Sequence, residues 1–319
     1  MRIPLRIPSA ARPFDLVGLG ENSVDLLAVL AEPPAPDSKQ RLQRFARLPG
    51  GQIATAIAAA ARLGCRTRYV GSFGDDHLGA LARDALMREG VDVGAARIVA
   101  GATNRFAVIL VDARSGQRTV LWDCHPALTM TPADVPADAV VSGRLLLLDC
   151  TNLAGATHAA RLARDAGVPT LIDVDKVWPG IGELLQRIDA IVAAQAFPPA
   201  LTGYEDLGRA LATMGREYGA AMVTATLGAE GSLTWCQGRE IRTRGFGIDC
   251  VDSTGAGDVF RGAFAAACLR MCDADGNLED VLTYANAAAA LNCRALGAQG
   301  ALPTADEVDR LLLSAPHRV

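Results

Sequence analysis

No run of this chain approaches the roughly 20 apolar residues that a membrane-spanning helix needs. Blocks of Lys and Arg are missing as well: 31 basic against 35 acidic side chains leave a net charge of −4. That balance argues against nucleic acid or an anionic membrane surface as partner. The eight cysteines include no C-x-x-C pair, and Cys268 and Cys272, sharing one helix face, suit buried thiols better than zinc. Reduced cysteines in the cytoplasm are the expectation. Residues 1–13 hold three arginines and no acid but no apolar centre, and Pro4, Pro8 and Pro13 interrupt them. They read as a loose leader and not as a signal peptide. Neither an internal repeat nor a low-complexity linker divides the rest, so residues 14–319 are expected to form one domain with a lid. With half of the 319 residues hydrophobic, a sizeable core is available.

What is present is an alternation of strand-like and helix-like segments. Residues 14–20 form a short apolar run ending in glycine. After them come a helix of small residues over 53–63, a strand over 66–73, and a helix over 77–89. In that helix Leu78, Leu81, Ala85 and Leu86 share a stripe, and Gly90 closes it. Strands at 145–149, 170–173, 190–194 and 222–226 alternate with helices at 155–166, 181–188 and 204–218. Such spacing implies right-handed crossovers and a mostly parallel central sheet with helices on both faces, an α/β fold. Two hairpins interrupt it: 105–112 with 118–122 through a turn at 113–117, and 232–235 with 240–244 around Gln237-Gly238. The first departs from a parallel sheet and is assigned to a lid over a ligand mouth. An alanine-rich helix over 278–296 follows. A last helix runs to 313, opened by a capping box between Thr304 and Glu307. Ligands of such sheets lie at the carboxyl ends of the strands, where Asp25, Asp149, Asp173 and Thr226 are expected. Gly18-x-Gly20 invites a dinucleotide reading, but Ser23 stands at the third position and no suitable helix and acid follow.

The chemistry concentrates in residues 250–264, C-V-D-S-T-G-A-G-D-V-F-R-G-A-F. Gly255 and Gly257 permit backbone angles closed to other residues and place no side chain in the way. From Val259 the pattern turns apolar at helical spacing, so a tight loop opens a buried helix. The amides of Gly255, Ala256 and Gly257 at its start, with the dipole behind them, suit a phosphate. Asp258 beside this anion pocket should repel phosphate; removing the proton of an attacking hydroxyl gives the carboxylate a purpose there. The combination reads as phosphoryl transfer. A helix start should keep Asp258 ionised, hence a weak base acting late in a loose transition state. A carboxylate that merely caps the helix is the plainer alternative.

The stretch from Asp252 to Phe264 resembles the C-terminal signature of the ribokinase-like (PfkB) carbohydrate kinases. Gly50 to Thr55, running on to Gly64, resembles that family's N-terminal glycine pair and small-residue helix. Tyr69 to Asp76, with Gly79, resembles the block that follows. The likeness spans about residues 14–313. It implies a ribokinase-like fold with a small β-lid from about 26–48 and 103–125, and ATP-dependent phosphorylation of a primary sugar hydroxyl. It further implies that Asp258 is the general base and that Gly255, Ala256 and Gly257 form the anion hole. Asp25, Gly50, Gly51 and Gln52 would hold the sugar, and Arg105 would reach it from the lid. Thr226, Gly228 and Gly231 resemble the ATP-side turn, Asn286 an adenine neighbour, and Lys176 in D-V-D-K a cation that reaches phosphate. Solvated or helix-face side chains are the alternatives for Asp25, Arg105, Lys176 and Asn286. Mg2+ is expected with ATP, a monovalent cation such as K+ near Asp252, and a homodimer through the lid.

Two places depart from the family's pattern. Thr55 stands where members often carry asparagine. Ala194 and Phe197 occupy the positions of the N-x-x-E motif linked to the magnesium water shell, so no protein ligand for Mg2+ can be named. The lid sequence S-G-Q-R-T-V-L-W, D-V-D-K and the missing N-x-x-E look closer to the ketohexokinase-like and sulfofructose-kinase-like branches. They favour a ketose or sugar derivative as acceptor. An adenosine-type nucleoside kinase, with Phe106 or Trp122 facing the base, and a non-catalytic sugar or nucleotide sensor are the alternatives.

Overall fold

The computed structural model describes residues 1–8, 11–114, 117–272 and 276–314. In chain order the elements begin with β1 (Phe14–Leu19), β2 (Ser23–Leu30), β3 (Arg44–Gly50), α1 (Gln52–Arg62), β4 (Thr67–Val70) and β5 (Ser72–Gly74). Next come α2 (His77–Arg88), β6 (Arg97–Val99), β7 (Phe106–Asp112), β8 (Arg118–Asp123), α3 (Ala137–Val140), β9 (Gly143–Asp149) and α4 (Leu153–Asp165). They continue with β10 (Thr170–Val174), α5 (Ile181–Leu185), β11 (Ala190–Ala194), α6 (Phe197–Thr202), α7 (Leu207–Tyr218) and β12 (Met222–Thr226). Last are β13 (Ser232–Cys236), β14 (Arg239–Thr243), α8 (Ala256–Met271), α9 (Leu278–Asn292) and α10 (Ala305–Ser314).

The main sheet has eight strands in the order β14-β13-β12-β11-β10-β9-β1-β4. Its strands from β12 to β4 pair in parallel, and β13 and β14 add an antiparallel edge. Parallel strands covered on both faces read as unbroken apolar runs, and β9 shows why. Leu145 and Leu147 enter one core with α1, α8 and α9, whereas Leu146 and Leu148 enter the other with α4 and α5. The small residues of α1 have a packing cause: a Cβ at Gly262 of α8 would collide with the Ala56 carbonyl. Helices α1 and α8 therefore approach backbone to backbone, which fixes the start of α8 against the sheet.

The lid is a separate four-stranded sheet, β3-β2-β7-β8. The chain turns from β1 into lid strand β2 after only three residues, so Gly18-x-Gly20 opens no helix. For the same reason Asp25 is not at a main-sheet strand end, as expected, but sits third in β2, opposite Leu48 of β3. Strands β7 and β8 pair from Phe106–Asp123 to Val111–Arg118; of their expected turn, residues 115 and 116 lie outside the described residues. Phe45, Val120, Leu121 and Trp122 of the lid are about half exposed. The expected strand over 66–73 breaks at Gly71 into β4 and β5, and β5 leaves the main sheet to pair with β6. Helix α9 stops at Asn292, short of 296, because the Cys293 carbonyl accepts from the amides of Val251 and Asp252. Helix α7 starts at Leu207 and not at 204, since the Asp206 side chain accepts from the Arg209 amide and caps it there.

Residues 1–8 are not loose. The Met1 amine donates to Asn277 Oδ1 at 2.8 Å, the Leu278 amide to the Met1 carbonyl at 2.7 Å, and Arg144 Nε to the Pro8 carbonyl at 2.9 Å. Leu5 is buried in the core, with Ile3 and Ile7 packed against it. Those apolar residues alternate between the prolines and supply the burial that a free leader would lack.

Candidate active site

Gly255 caps α8 in the left-handed region, φ 75°, and a Cβ there would sit 2.6 Å from Ala298 Cα. Glycine is therefore required twice, by angle and by space. The loop before it is organised by Asp252, whose Oδ1 accepts from the Thr254 amide at 2.9 Å and hydroxyl at 2.7 Å, while Oδ2 accepts from the Gly297 amide at 2.8 Å. Asn292 Nδ2 donates to the Ala298 carbonyl at 2.9 Å, closing the clamp. Arg118 of the lid donates to Thr254 Oγ1 at 3.3 Å, so the lid touches this loop directly. The Ala256 amide, expected in the anion hole, turns back to the Ser253 carbonyl at 3.2 Å. The amides of Gly255 and Gly257 carry no such bond among the described residues.

Asp258 stands in the first turn of α8 with 18% of its side chain accessible. Its helix position alone had suggested that it stays ionised, but its burial opposes that charge. Burial pushes its pKa up to about 7 against the attraction of Arg261, and Asp175, Asp25 and Asp149 push the same way. A carboxyl titrating near neutrality is a stronger base than one near pH 4. Around it the strand ends collect further acids. Glu21, after β1, donates its amide to Asp149 Oδ2 at 2.6 Å, accepts from Thr151 Oγ1 at 3.1 Å and pairs with Arg105 at 3.0 Å. Burial raises Glu21 to about 8, Asp149 to about 6 and Asp25 to about 6. Asp173 is likewise raised by burial and faces Arg261 at 2.7 Å.

Two cavities flank this cluster. One, of about 410 Å³, is lined by Glu21, Gln52, Arg105, Trp122, Asp175 and Lys176 among others. The second, of about 310 Å³, is lined by Thr226, Gly228, Gly231, Asn286, Ala256 and Gly257 among others. The residues expected at the nucleotide thus converge on one hollow with the start of α8. Lys176 does not join them: it lies on the other cavity, its ammonium 4.7 Å from the Trp178 ring centre. Arg105 lies there too, its guanidinium 4.5 Å from the ring centre of Trp122. Asp25, Gly50 and Gly51 form neither lining; a Cβ at Gly50 would fall 2.6 Å from Asp25 Oδ2, so glycine admits the carboxylate. Asn286 donates to Thr243 Oγ1 at 3.0 Å and Ser232 Oγ at 3.3 Å, which satisfies a buried amide at the cavity wall. Thr55 is fully buried, accepts from Gln299 Nε2 at 3.3 Å and lines neither cavity.

Sequence reasoning missed Glu21, Asn22 and Arg261 as parts of this site. Asn22 ties the strand end together, donating to Tyr69 Oη at 2.9 Å and the Ser72 carbonyl at 2.7 Å and accepting from Asn104 at 3.0 Å. The available signal was a polar side chain inside an otherwise apolar segment: E-N after the β1 glycine, and Arg in V-F-R-G-A-F. The residues do not fit a protein-held Mg2+. Ala194 ends β11, Phe197 is buried in the core, and no group of three or more His, Cys, Asp or Glu arranged for a metal exists among the described residues. The Asp252 loop is organised by its own hydrogen bonds. No helix among the described residues is long and apolar enough to cross a membrane.

Comparison with known proteins bears out the expected family and fold. The chain is 30% identical to a ribokinase from Haemophilus influenzae, over 81% of this chain and 85% of that one. It is 27% identical to fructokinase-2 from Solanum lycopersicum, over 93% and 95%. The structure of Arabidopsis thaliana ribokinase complexed with ribose and ATP superposes with a TM-score of 0.82 at 26% identity, covering 95% of this chain and 99% of that one. The family model for pfkB family carbohydrate kinases matches residues 14–305, and the chain belongs to that family.

Proposed function

We propose that this protein transfers the terminal phosphoryl group of ATP to a sugar hydroxyl, a primary hydroxyl of a ketose or ketose derivative. The observation that carries this is the position of Asp258. It follows directly on Ala256 and Gly257, which line the 310 Å³ cavity, and it lies within electrostatic reach of Asp175, which lines the 410 Å³ cavity. The nucleotide occupies the former, against Thr226, Gly228, Gly231 and Asn286, with its phosphates at the start of α8. The sugar occupies the latter, between Gln52, Arg105 and Lys176. Asp258 takes the hydroxyl proton as that oxygen attacks phosphorus, and the amides of Gly255 and Gly257 meet the charge on the transferred group. Asp25 and the glycine pair act one layer behind, by fixing the turn that carries Asn22. Mg2+ would come with ATP, its charge offsetting that of the phosphates, with no ligand from Ala194 or Phe197. One observation favours a nucleoside acceptor instead: Trp122 and Trp178 both line the acceptor cavity and could face a base. ADP release measured over ketoses, aldoses, sulfosugars and nucleosides tests the reading. Highest kcat/KM for a ketose supports it, preference for a nucleoside selects the second reading, and binding without turnover of any acceptor overturns both.

A further inference from the structure

Arg261 interrupts an apolar helix face and is buried in α8. A guanidinium taken out of water needs counter-charge, and two carboxylates supply it. Its Nη2 lies 2.7 Å from Asp173 Oδ1 and its Nη1 4.0 Å from Asp258 Oδ1. A Cβ at Gly257 would fall 2.5 Å from that same Nη1, so the second glycine of G-A-G-D makes room for the cation as well as for a ligand. The contact with Asp173 is close but poorly directed: neither Asp173 oxygen nor Arg261 Nε has a well-aligned hydrogen bond among the described residues. It is a pairing of charge and not a bidentate fork. The charged groups facing Asp258 are Arg261 from its own helix, Asp173 from β10, Asp175 just beyond it, Asp149 from β9, Asp25 from β2 and Glu21 after β1. Of these six, Arg261 alone is positive.

We propose that Arg261, anchored by Asp173, is a positioning residue that holds the Asp258 carboxylate beside the α8 amides and offsets the surrounding acids, so that Asp258 can accept the substrate proton. The proposal rests on Asp258 being the base. A side chain that only filled space would affect folding and rate alike at every pH; a counter-charge sets where the rate falls with acid. The test is the pH profile of kcat/KM for the sugar in wild type, Arg261→Gln and Arg261→Lys. An opposite charge within about 4–6 Å lowers a carboxyl by about 1–3 units, and Arg261 Nη1 lies 4.0 Å from Asp258 Oδ1, so Arg261→Gln should move the acidic limb upward by about that much. Its rate should then recover towards that of wild type above pH 9. Arg261→Lys, which keeps the charge, should leave the limb within about half a unit, far less than the loss of a charge would give. Gly257→Ala pushes the guanidinium aside without removing any charge and should shift the limb in the same direction as Arg261→Gln, which keeps the test open if the latter does not fold. A lowered rate with an unmoved limb in Arg261→Gln, or a limb moved towards acid in either variant, overturns the proposal. Wild-type protein that phosphorylates no acceptor would instead remove the proposed function on which it stands.

Discussion

Replacing Asp258 with asparagine should move activity and stability in opposite directions. Asp258→Asn keeps the size of the side chain and removes its basicity. A general base contributes about 10²–10⁴-fold, about 2.7–5.5 kcal/mol of barrier, so turnover should fall by that factor while ATP still binds. The folded protein raises this carboxyl from 3.8 to about 7, so it binds the proton more tightly than the unfolded chain does. That contribution to stability is complete below about pH 4 and is lost as pH rises through about 7. Three units at 1.36 kcal/mol each set an upper limit of about 4 kcal/mol on what the ionised, buried carboxylate costs at pH 8. The neutral amide avoids that cost. In the absence of nucleotide, the variant should therefore be more stable than wild type at pH 8, by a few kcal/mol at most, and the gap should close towards pH 5. Urea unfolding at pH 5, 6.5 and 8, beside a coupled assay of ADP release, reads both quantities. A rate within about tenfold of wild type would sink the assignment of the base. A stability gap that fails to widen with pH would sink the argument from burial, and a variant less stable than wild type at pH 8 would make Asp258 a helix cap.

Two further outcomes follow from the glycine pair and from the metal. At Gly51, φ is 92° and an added Cβ would lie 2.5 Å from Asn22 Cα and 2.7 Å from the Ser23 amide. Gly51→Ala should cost more than the roughly 1–2 kcal/mol of a left-handed residue, because backbone atoms cannot step aside, and should raise the sugar KM by displacing Asn22 and β2. Unchanged denaturation and KM would refute that coupling of turn to acceptor site. EDTA should stop turnover, reversibly by Mg2+, yet leave the melting temperature measured without nucleotide unchanged, since Ala194 and Phe197 offer no ligand. A lower melting temperature in EDTA would show a metal held by the protein itself.

The order of strands and helices was legible because each buried parallel strand is a short apolar run and several helices open on a side-chain cap, Asp76 on α2 and Asp206 on α7 among them. Thr304 and Glu307 illustrate this: their expected capping box forms, with Glu307 Oε2 accepting from the Thr304 amide at 2.9 Å and its own amide donating to Thr304 Oγ1 at 3.3 Å. Gln237 and Gly238 likewise adopt the two positive φ angles, 49° and 80°, that a two-residue hairpin of this hand demands. The lid was legible only in part. S-V-D-L-L-A-V-L of β2 follows β1 so closely that the two read as one strand end, and its pairing with β7 lies more than 80 residues away, from Val24–Phe106 to Leu30–Asp112.

The loop G-A-G-D could be read from spacing because its parts are adjacent; the charges that tune it could not, because they come from different strands. Asp173 and Arg261 meet only once α8 has crossed the carboxyl end of β10, and nothing in the residues between them signals that crossing. Yet each was marked locally. T-L-I-D-V and L-L-L-L-D place an acid in strands that are otherwise wholly apolar, and burial of both faces means such an acid must be paired or held protonated. Asp149 takes the amides of Glu21 and Thr151, and Asp173 takes Arg261. A lone charge in a parallel strand is thus evidence of a partner elsewhere in the chain. In this family's frame the unpaired candidate was the arginine three residues after the proposed base, on the same helix face.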